Sequence, residues 1–187
     1  TGGMGAISPV PFINQKMMEK IKCRIIEPTL SGLKTEQIDY SGFIFFGLIN
    51  VKGNPLVIEY NVRLGDPETQ AIMPRIKSDL LVLLIKLNNK YAFKNEQLIV
   101  SNKTTATIIM ASGGYPEEYQ KNYIITGLED VSGSLVFYSG IRLESGDYKT
   151  NGGRVLALTS IEENLNTAIS KNYQEIKKIK FKDFYFR

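Results

Sequence analysis

The sequence predicts an α/β (α+β) fold that ends in a β-rich part closed by a helix. Three observations predict it: helically spaced apolar residues near both ends, a β-hairpin pattern in the middle, and short strand patterns separated by glycine turns after residue 100. A polar stretch over Tyr91–Lys103 separates the two halves. We therefore expect one domain portion over residues 1–100 and a small β-rich subdomain over residues 101–187.

The first third of the chain predicts a Gly/Pro-rich loop over residues 1–12 and then a helix. Asn14 can cap that helix through its side chain. Its apolar positions follow helical spacing: Met17, Ile21, Cys23 and Ile25. This pattern predicts that Cys23 is a small buried residue and not a reactive thiol. Pro28 is expected to break or kink the helix, with a short helical piece through residues 30–33 after it.

A β-hairpin is predicted in the middle of the chain, where aromatic and β-branched residues over Gly42–Asn50 and Leu56–Asn61 flank a Lys52-Gly53-Asn54 turn. Side chains alternate across a strand. One face of the second strand is therefore expected to carry Leu56, Ile58, Tyr60 and Val62, and the other face Glu59, Asn61 and Arg63.

Helices are predicted after the hairpin and at the end of the chain. Asp66-Pro67-Glu68 places acids at the positive end of the first helix, and Ser78 can cap the second. The second helix, over Leu80–Leu87, is apolar on nearly all sides and is expected to be buried. Strands are expected at Thr104–Met110, Ser134–Tyr138 and Val155–Leu158. A helix near residues 162–178 is expected to pack on them through Leu165, Ala168, Ile169, Asn172, Tyr173 and Ile176.

Composition and charge exclude several classes of function. The chain has no histidine, which removes histidine general bases and the commonest zinc sites. Its longest apolar stretch is far shorter than the roughly 20 residues that cross a bilayer, so we expect no membrane partner and a cytoplasmic location. The net charge is +4. Lysines near the C-terminus alternate with apolar residues, which fits a nucleic-acid face or a solvated edge; we favour the edge and expect no nucleic-acid partner.

The central motif combines a carboxylate, a carboxamide and a guanidinium on one strand face. Glu59 and Asn61 offer oxygen atoms, the ligands that Mg²⁺ prefers, and Mg²⁺ orients ATP phosphates during phosphoryl transfer. Arg63 could hold a phosphate or a carboxylate through its planar fork. A Glu-x-Asn pair alone also fits a solvated polar face, so the surrounding residues decide between the two interpretations.

Four segments of the chain resemble the glycinamide ribonucleotide synthetase family of the ATP-grasp superfamily. They occur in the family's order: Thr1-Gly-Gly-Met-Gly-Ala-Ile-Ser-Pro9, Val57-Ile-Glu-Tyr-Asn-Val-Arg-Leu-Gly-Asp-Pro-Glu-Thr-Gln70, Gly113-Gly-Tyr-Pro116 and Thr150-Asn-Gly-Gly-Arg-Val155. The resemblance implies that residues 1–100 are the C-terminal portion of an ATP-grasp domain. It also implies that an N-terminal domain and the nucleotide-clamping half precede Thr1 in a longer parent protein.

The resemblance implies an ATP-dependent carbon–nitrogen ligase of purine biosynthesis. Glycine would be joined to 5-phosphoribosylamine through glycyl phosphate, with Mg²⁺ or Mn²⁺ as cofactor and ATP as co-substrate. We expect this chain alone to be inactive and to expose apolar surface, and we expect its parent to be monomeric or fused to other purine-pathway domains. Two alternatives stay open: another ATP-grasp carboxylate–amine ligase, and a non-catalytic binding or assembly module.

Residue roles follow from the matching positions. Glu59 and Asn61 look like the metal and nucleotide ligands, although Gly42–Val51 holds no carboxylate for a second acidic ligand. Arg63 looks like a catalytic and substrate-binding residue. Asp66 and Glu68 look like substrate residues, or they are favourable first-turn helix charges.

The glycine motifs supply the remaining predicted site residues. Gly2, Gly3 and Gly5 could bring backbone amides close to an anionic substrate, or they form a simple turn. Arg154 could reach the phosphate of the ribosyl substrate. Tyr115 and Pro116 are expected to shape a turn and not to touch a ligand.

Overall fold

The structure is a computed structural model that describes residues 2–187, with the backbone alone for Lys90. Thr1, the first residue of the opening motif, lies outside the described residues. The elements in chain order are β1 (Gly5–Ser8), α1 (Gln15–Ile21), a π-helical turn (Lys22–Ile26), α2 (Glu27–Thr35), β2 (Phe45–Val51), β3 (Asn54–Asn61), α3 (Glu68–Ile72), a 3-10 turn (Met73–Arg75), α4 (Leu80–Lys86), α5 (Lys90–Lys94), β4 (Thr104–Ala111), β5 (Leu135–Tyr138), β6 (Ile141–Glu144), β7 (Asp147–Thr150), β8 (Arg154–Glu162) and α6 (Leu165–Ile176).

The chain divides into two compact units. The sheet unit contains the segment up to Ser8, then Asp66–Lys77 and Val100–Arg187, and the hairpin unit contains Pro9–Gly65 and Ser78–Ile99. Both units are discontinuous in sequence because the chain passes between them more than once. The division by sequence at residue 100 stays a prediction.

An antiparallel sheet in the order β1-β4-β8-β5 forms the centre of the sheet unit. Strands β4, β5 and β8 confirm the three strand predictions of this region, and β6 pairs with β7 in a separate hairpin. The predicted loop over residues 1–12 is wrong at Gly5–Ser8. These residues form β1, with Gly5 opposite Ile108, because their backbone groups pair with β4.

One face of this sheet is covered by α6, as predicted. Asn164 caps the helix through its side-chain oxygen, which accepts a hydrogen bond from the backbone N–H of Thr167 (3.0 Å). Asn172 is fully buried, and its amide donates to the carbonyls of Ala106 and Leu158, both at 2.7 Å. The apolar core of this unit contains Ile108, Met110, Ile125, Val155, Leu156, Leu158, Ile176, Ile179 and Phe181.

Three threonines on β4 and β8 hold helix α3. Thr105 donates to the carbonyl of Ala71 (2.7 Å), and Thr159 donates to the carbonyl of Gln70 (3.1 Å). The hydroxyls of Thr107 and Thr159 are 2.7 Å apart. All three threonines are buried, so these hydrogen bonds are shielded from water. They fix the helix that follows Asp66 against the sheet.

The hairpin unit contains the predicted β-hairpin, with β2 paired to β3. Lys52 and Gly53 in the turn have φ angles of 50° and 79°. Two consecutive positive φ values suit a two-residue hairpin turn, because that turn twists in the same sense as the strands. A bulge interrupts the pairing at Ile58, because Gly47 lies opposite Glu59 whereas Leu48 lies opposite Val57. The predicted alternation is broken there, so Leu56 does not continue the face of Tyr60. Four apolar side chains on β3 and just beyond it are exposed: Leu56, Ile58, Tyr60 and Val62.

The helical segment of this unit differs from its prediction at Cys23. Asn14 caps α1 as predicted, accepting from the N–H of Met17 (3.0 Å). Pro28 does not break the helix, because the π-helical turn Lys22–Ile26 continues into α2 with Ile26 and Glu27 in helical conformation. A kink at Pro28 stays a prediction. Cys23 is exposed and not buried. The buried residues Ile21 and Ile25 are four apart and share one face, so Cys23, midway between them, faces away.

Helix α4 is a surface helix, which contradicts its predicted burial. Leu81 is 66% exposed and Ile85 is 63% exposed, whereas Leu83 is buried. The helix has only seven residues and packs against the short α5, which leaves its remaining sides to solvent among the described residues. No helix within residues 2–187 is long and apolar enough to span a membrane.

The predicted cap of α4 was also wrong. Asp79, and not Ser78, caps the helix by accepting from the N–H of Val82 (3.1 Å). The Ser78 hydroxyl instead accepts from the N–H of Ile99 (2.7 Å) and donates to the carbonyl of Gln97 (3.1 Å). The Ser78 hydroxyl therefore holds the segment that follows α5 next to the residue that precedes the cap of α4.

The basic C-terminal segment packs its apolar residues inward. Ile179 and Phe181 are buried in the core. Lys180 lies over the ring of Phe184 (5.3 Å to the centroid), and Lys182 lies over the ring of Tyr123 (5.0 Å). These lysines cover aromatic rings of their own unit, an arrangement that agrees with the solvated-edge interpretation.

Glu175, near the end of α6, is a buried carboxylate with several donors. Its oxygens accept from Lys178 Nζ (2.8 and 2.9 Å) and from the N–H of Ser132 (3.0 Å). The Lys178 hydrogen bond lowers the pKa of Glu175; burial opposes this shift, and backbone N–H groups of Ser132 and Gly133 support it. A lowered folded-state pKa stabilises the fold above the unfolded pKa, and this stabilisation is lost as pH falls through the folded pKa.

We predict that Glu175→Gln destabilises the fold by about 1–3 kcal/mol at pH 7, because the hydrogen bonds to a charged acceptor weaken. The destabilisation should shrink as the pH is lowered below the ordinary glutamate range, where the native carboxyl also becomes neutral. Urea unfolding followed by circular dichroism at a series of pH values measures this. Glu117→Gln, at an exposed position, is the control and should leave the pH profile unchanged. If the free energies of unfolding of Glu175→Gln and of the unsubstituted chain differed by the same amount at all pH values, the assignment of the pKa shift to Glu175 would be contradicted.

Candidate functional site

Glu59 and Asn61 lie side by side on β3. The Asn61 amide nitrogen donates to a carboxylate oxygen of Glu59 at 2.8 Å. Glu59 lies opposite Gly47 on β2, and a Cβ at Gly47 would be 2.8 Å from Glu59 Cγ. The missing side chain at residue 47 therefore makes room for the Glu59 side chain across the hairpin. The strand places both predicted ligands on one face, as the alternation predicted.

The oxygen atoms of this pair fit a hard divalent cation. Glu59 is exposed and Asn61 is half-buried, so both are open to a ligand from solvent. Within residues 2–187 no group of three or more His, Cys, Asp or Glu residues is arranged to hold a metal. A cation at Glu59 and Asn61 would need further ligands, which Mg²⁺ commonly takes from phosphates or water. The Asn61 nitrogen faces Glu59 here, whereas a metal ligand role uses the amide oxygen.

Arg63 lies beyond the end of β3, which ends at Asn61. Its guanidinium donates to the carbonyl of Leu64 at 2.9 Å. The expectation that Arg63 continues the strand face of Glu59 was therefore wrong, because the backbone leaves the strand conformation first. Its catalytic and substrate-binding role stays a prediction.

A second group of predicted residues meets in the sheet unit, around Arg154. The Arg154 guanidinium donates to the Asp66 carboxylate through Nη2 (2.7 Å) and Nη1 (3.3 Å). Nη1 also contacts the backbone carbonyls of Gly3 (3.1 Å) and Asp66 (3.3 Å). Gln70 donates to the same carboxylate at 3.2 Å. The opening glycine motif, the Asp-Pro-Glu motif and the start of β8 therefore converge on one guanidinium.

Tyr115 fixes the opening glycine motif from a different direction. Its hydroxyl accepts from the N–H of Gly2 (2.9 Å), and its carbonyl accepts from the hydroxyl of Tyr185 (2.7 Å). A Cβ at Gly153 would lie 2.1 Å from the Tyr115 ring, so the ring packs directly on the glycine backbone. The sequence predicted only a turn at Tyr115. The glycines of the opening motif and of the Asn151–Arg154 motif are the signal that could have indicated close packing of an aromatic ring.

Gly5 and Glu68 are placed by secondary structure. Gly5 begins β1, and a Cβ there would lie 2.8 Å from the carbonyl oxygen of Thr107, so the position needs glycine for close strand packing. Glu68 is the first residue of α3, where a negative charge is favourable. Both residues keep a predicted substrate role beside this structural one. Glu59 and Asn61 belong to the hairpin unit, and Asp66, Glu68 and Arg154 belong to the sheet unit.

Comparison with family models shows what this chain is related to. The phosphoribosylglycinamide synthetase ATP-grasp (A) domain matches residues 1–69, and the phosphoribosylglycinamide synthetase C domain matches residues 105–187. The chain belongs to the phosphoribosylglycinamide synthetase family. The family resemblance predicted from the four motifs is confirmed.

Curated relatives match the phosphoribosylglycinamide synthetase family chain over its whole length. The phosphoribosylamine–glycine ligase of Fusobacterium nucleatum is 42% identical over 191 residues, which cover 100% of this chain and 45% of the relative. The trifunctional purine biosynthetic protein adenosine-3 of Homo sapiens is 38% identical, over 100% of this chain and 19% of that protein. The chain therefore spans less than half the length of these relatives.

Solved structures agree with the family assignment. The phosphoribosylamine–glycine ligase from Thermotoga maritima has a TM-score of 0.85 and 31% identity, over 100% of this chain and 46% of that chain. A biotin carboxylase complex from Campylobacter jejuni has a TM-score of 0.59 at 16% identity, over 98% of this chain and 40% of that chain, which shows a shared fold alone. The predicted mixed α/β fold with a distal ATP-grasp portion is confirmed.

We predict that Gly153→Ala destabilises the chain by roughly 1–3 kcal/mol, because the added methyl group overlaps the Tyr115 ring. Gly32→Ala is the matched control, since a Cβ at this helical position meets nothing within 4 Å. It should stabilise the chain by about 0.5–1 kcal/mol. Urea unfolding followed by circular dichroism compares the two. Equal effects of the two substitutions would show that the Tyr115 ring does not pack on Gly153.

Proposed function

We propose that this chain forms the distal ATP-grasp portion and the C-terminal subdomain of an ATP-dependent phosphoribosylamine–glycine ligase. The observation that carries the proposal is the Glu59–Asn61 pair, which lies within a segment matched by the ATP-grasp family model. Similarity over the whole chain to proteins named phosphoribosylamine–glycine ligase supports the substrate assignment. The reaction would give glycinamide ribonucleotide, ADP and phosphate in purine biosynthesis.

The proposed reaction needs no nucleophilic side chain. The γ-phosphoryl group of ATP passes to a glycine carboxylate oxygen, and the amine of 5-phosphoribosylamine then attacks the acyl carbon and displaces phosphate. Catalysis of these steps depends on the positioning of the reactants and on electrostatic stabilisation of the developing charge. A chain without histidine can supply both through carboxylate, amide and guanidinium groups.

Glu59 and Asn61 would hold a divalent cation, Mg²⁺ or Mn²⁺, together with the phosphates of ATP. The donor set fits, because a carboxylate and a carboxamide lie next to each other on an open strand face. A bound cation would neutralise phosphate charge during phosphoryl transfer. Glu59 and Asn61 are the described residues that we propose as ligands of the cation.

The remaining predicted residues are proposed to serve the other substrates. Arg63 would bind a phosphate or carboxylate through its fork. Asp66 and Glu68 would accept hydrogen bonds from the amine substrate, with the backbone of Gly2, Gly3 and Gly5 close to an anionic group.

The parent protein is proposed to be cytoplasmic and to carry the nucleotide-clamping half that this chain needs for activity. We propose that the parent is monomeric or fused to other pathway domains; bifunctional and trifunctional purine proteins among the relatives support the fused form. We also propose that the sequence division near residue 100 separates the ATP-grasp portion from the C-terminal subdomain, which agrees with family matches at residues 1–69 and 105–187.

Oxygen transfer tests the proposed reaction in the full-length protein. Glycine labelled with ¹⁸O in its carboxylate should pass one label to inorganic phosphate, because attack at the acyl carbon breaks its bond to the oxygen that bridges carbon and phosphorus in glycyl phosphate, and this oxygen leaves with the phosphate. The label is detected in phosphate by ³¹P NMR or mass spectrometry. Transfer from a different carboxylic acid, with none from glycine, would indicate another ATP-grasp ligase.

We predict that Glu59→Ala lowers kcat/KM of the full-length protein by roughly 10²–10³-fold, because a ligand for charge stabilisation is lost. Asn61→Asp keeps an oxygen donor and should retain more activity than Asn61→Ala. Glu19→Ala, at an exposed carboxylate on α1, is the control and should leave kcat/KM unchanged. Steady-state kinetics at a series of Mn²⁺ concentrations measures all four variants. Unchanged kinetics for Glu59→Ala would place the chemistry elsewhere or make the chain a non-catalytic module.

A further inference from the structure

The Arg154 guanidinium has its principal hydrogen-bonding edge occupied by protein groups. Nη2 donates to one carboxylate oxygen of Asp66, and Nη1 reaches the other oxygen and the carbonyls of Gly3 and Asp66. This is a forked ion pair, in which a planar guanidinium matches the two oxygens of one carboxylate. A phosphate that used the same edge would first have to displace Asp66.

The exposed fractions of the two side chains indicate which of them is more accessible to a ligand. The Arg154 side chain is 22% exposed, whereas the Asp66 side chain is 51% exposed. The carboxylate is therefore the more accessible of the two partners to a ligand from solvent. A binding residue is held in its productive geometry by hydrogen bonds from neighbouring groups, and Arg154 makes such hydrogen bonds to Asp66.

The backbone around Arg154 is held firmly enough to support Asp66. Arg154 begins β8, and its carbonyl accepts from the N–H of Gly140 (3.0 Å). The preceding Gly153 carbonyl accepts from the N–H of Ser112 (2.8 Å). A Cβ at Gly2 would be 3.0 Å from Arg154 Cζ, so the backbone of the opening motif lies directly against the guanidinium.

We propose that Arg154 is a positioning residue that sets the Asp66 carboxylate and the Gly2–Gly3 backbone for the amine substrate. This inference rests on the proposed ligase function. Asp66 is fixed from two sides, by Arg154 and by the amide of Gln70. A carboxylate held in this way can accept an N–H of the attacking amine in one orientation, and correct orientation of two reactants lowers the barrier to their reaction. In this proposal Arg154 acts through Asp66, whereas the sequence predicted that it contacts a substrate phosphate directly.

A double-mutant cycle in the full-length protein tests the proposal. The variants are Asp66→Asn, Arg154→Gln and their combination, and the readout is kcat/KM for 5-phosphoribosylamine. We expect each single variant to lose 10- to 1,000-fold and the double variant to lie within about threefold of the worse single variant, because both changes remove one function. Losses that multiply would show that Arg154 and Asp66 act separately, and would overturn the proposal.

Arg154→Lys separates positioning from phosphate binding. Lysine binds phosphate as a point charge but cannot form the fork to Asp66. We expect Arg154→Lys to remain impaired: the logarithm of its fold-loss in activity should be at least half that of Arg154→Gln. The loss should fall mainly on kcat, with KM for ATP and glycine unchanged. Near-complete recovery by lysine, with the defect of Arg154→Gln confined to KM for 5-phosphoribosylamine, would assign Arg154 to the phosphate and overturn the proposal.

Two controls keep the result interpretable. Arg142 and Glu144 form an exposed ion pair outside both residue groups (3.0 Å), and Arg142→Gln should leave all kinetic constants unchanged. The parent protein is assayed first for glycinamide ribonucleotide. Absence of this product in the parent would refute the proposed function, whereas a productive parent with multiplicative losses in the cycle would refute the positioning role alone.

Discussion

The alternation of side chains along β3 is the constraint on which the functional interpretation depends. Residues two apart on a strand share a face, and this places the Glu59 carboxylate against the Asn61 amide. The partner strand has a glycine, Gly47, opposite Glu59, and a side chain at this position would collide with Glu59. A shift of one residue in the strand would turn both groups together to the opposite face of the hairpin.

The sheet unit meets a different requirement, which is to bring together segments that are far apart in sequence. Strand β1 pairs with β4 and carries the Gly2–Gly3 segment with it. Buried threonines on β4 and β8 hold α3 and thereby the neighbouring Asp66. Arg154 at the start of β8 joins both segments, although it lies 88 residues from Asp66 in the chain. Tertiary hydrogen bonds, and not local geometry, build this second group.

These two groups explain what could be predicted from the sequence. The hairpin and α6 were predicted correctly because period-two and helical patterns are local, and Glu59 and Asn61 inherit their placement from the hairpin. Burial was predicted less well, since a pattern does not say what covers a helix. Helix α4, predicted to be buried, is exposed. Cys23, also predicted to be buried, faces solvent because Ile21 and Ile25 define the inner face of its helix. The Arg154–Asp66 ion pair and the Tyr115–Gly2 contact depend on the tertiary fold, which the local patterns do not contain.

The position of a bound Mn²⁺ ion tests the central claim most directly. Crystals of the full-length protein grown with Mn²⁺ and ADP should show an anomalous peak at about 2.0–2.4 Å from oxygen atoms of both Glu59 and Asn61, a distance typical of hard divalent cations. The peak should disappear in Glu59→Ala crystals grown in the same way. An anomalous peak on the nucleotide phosphates that contacts neither Glu59 nor Asn61 would contradict the account.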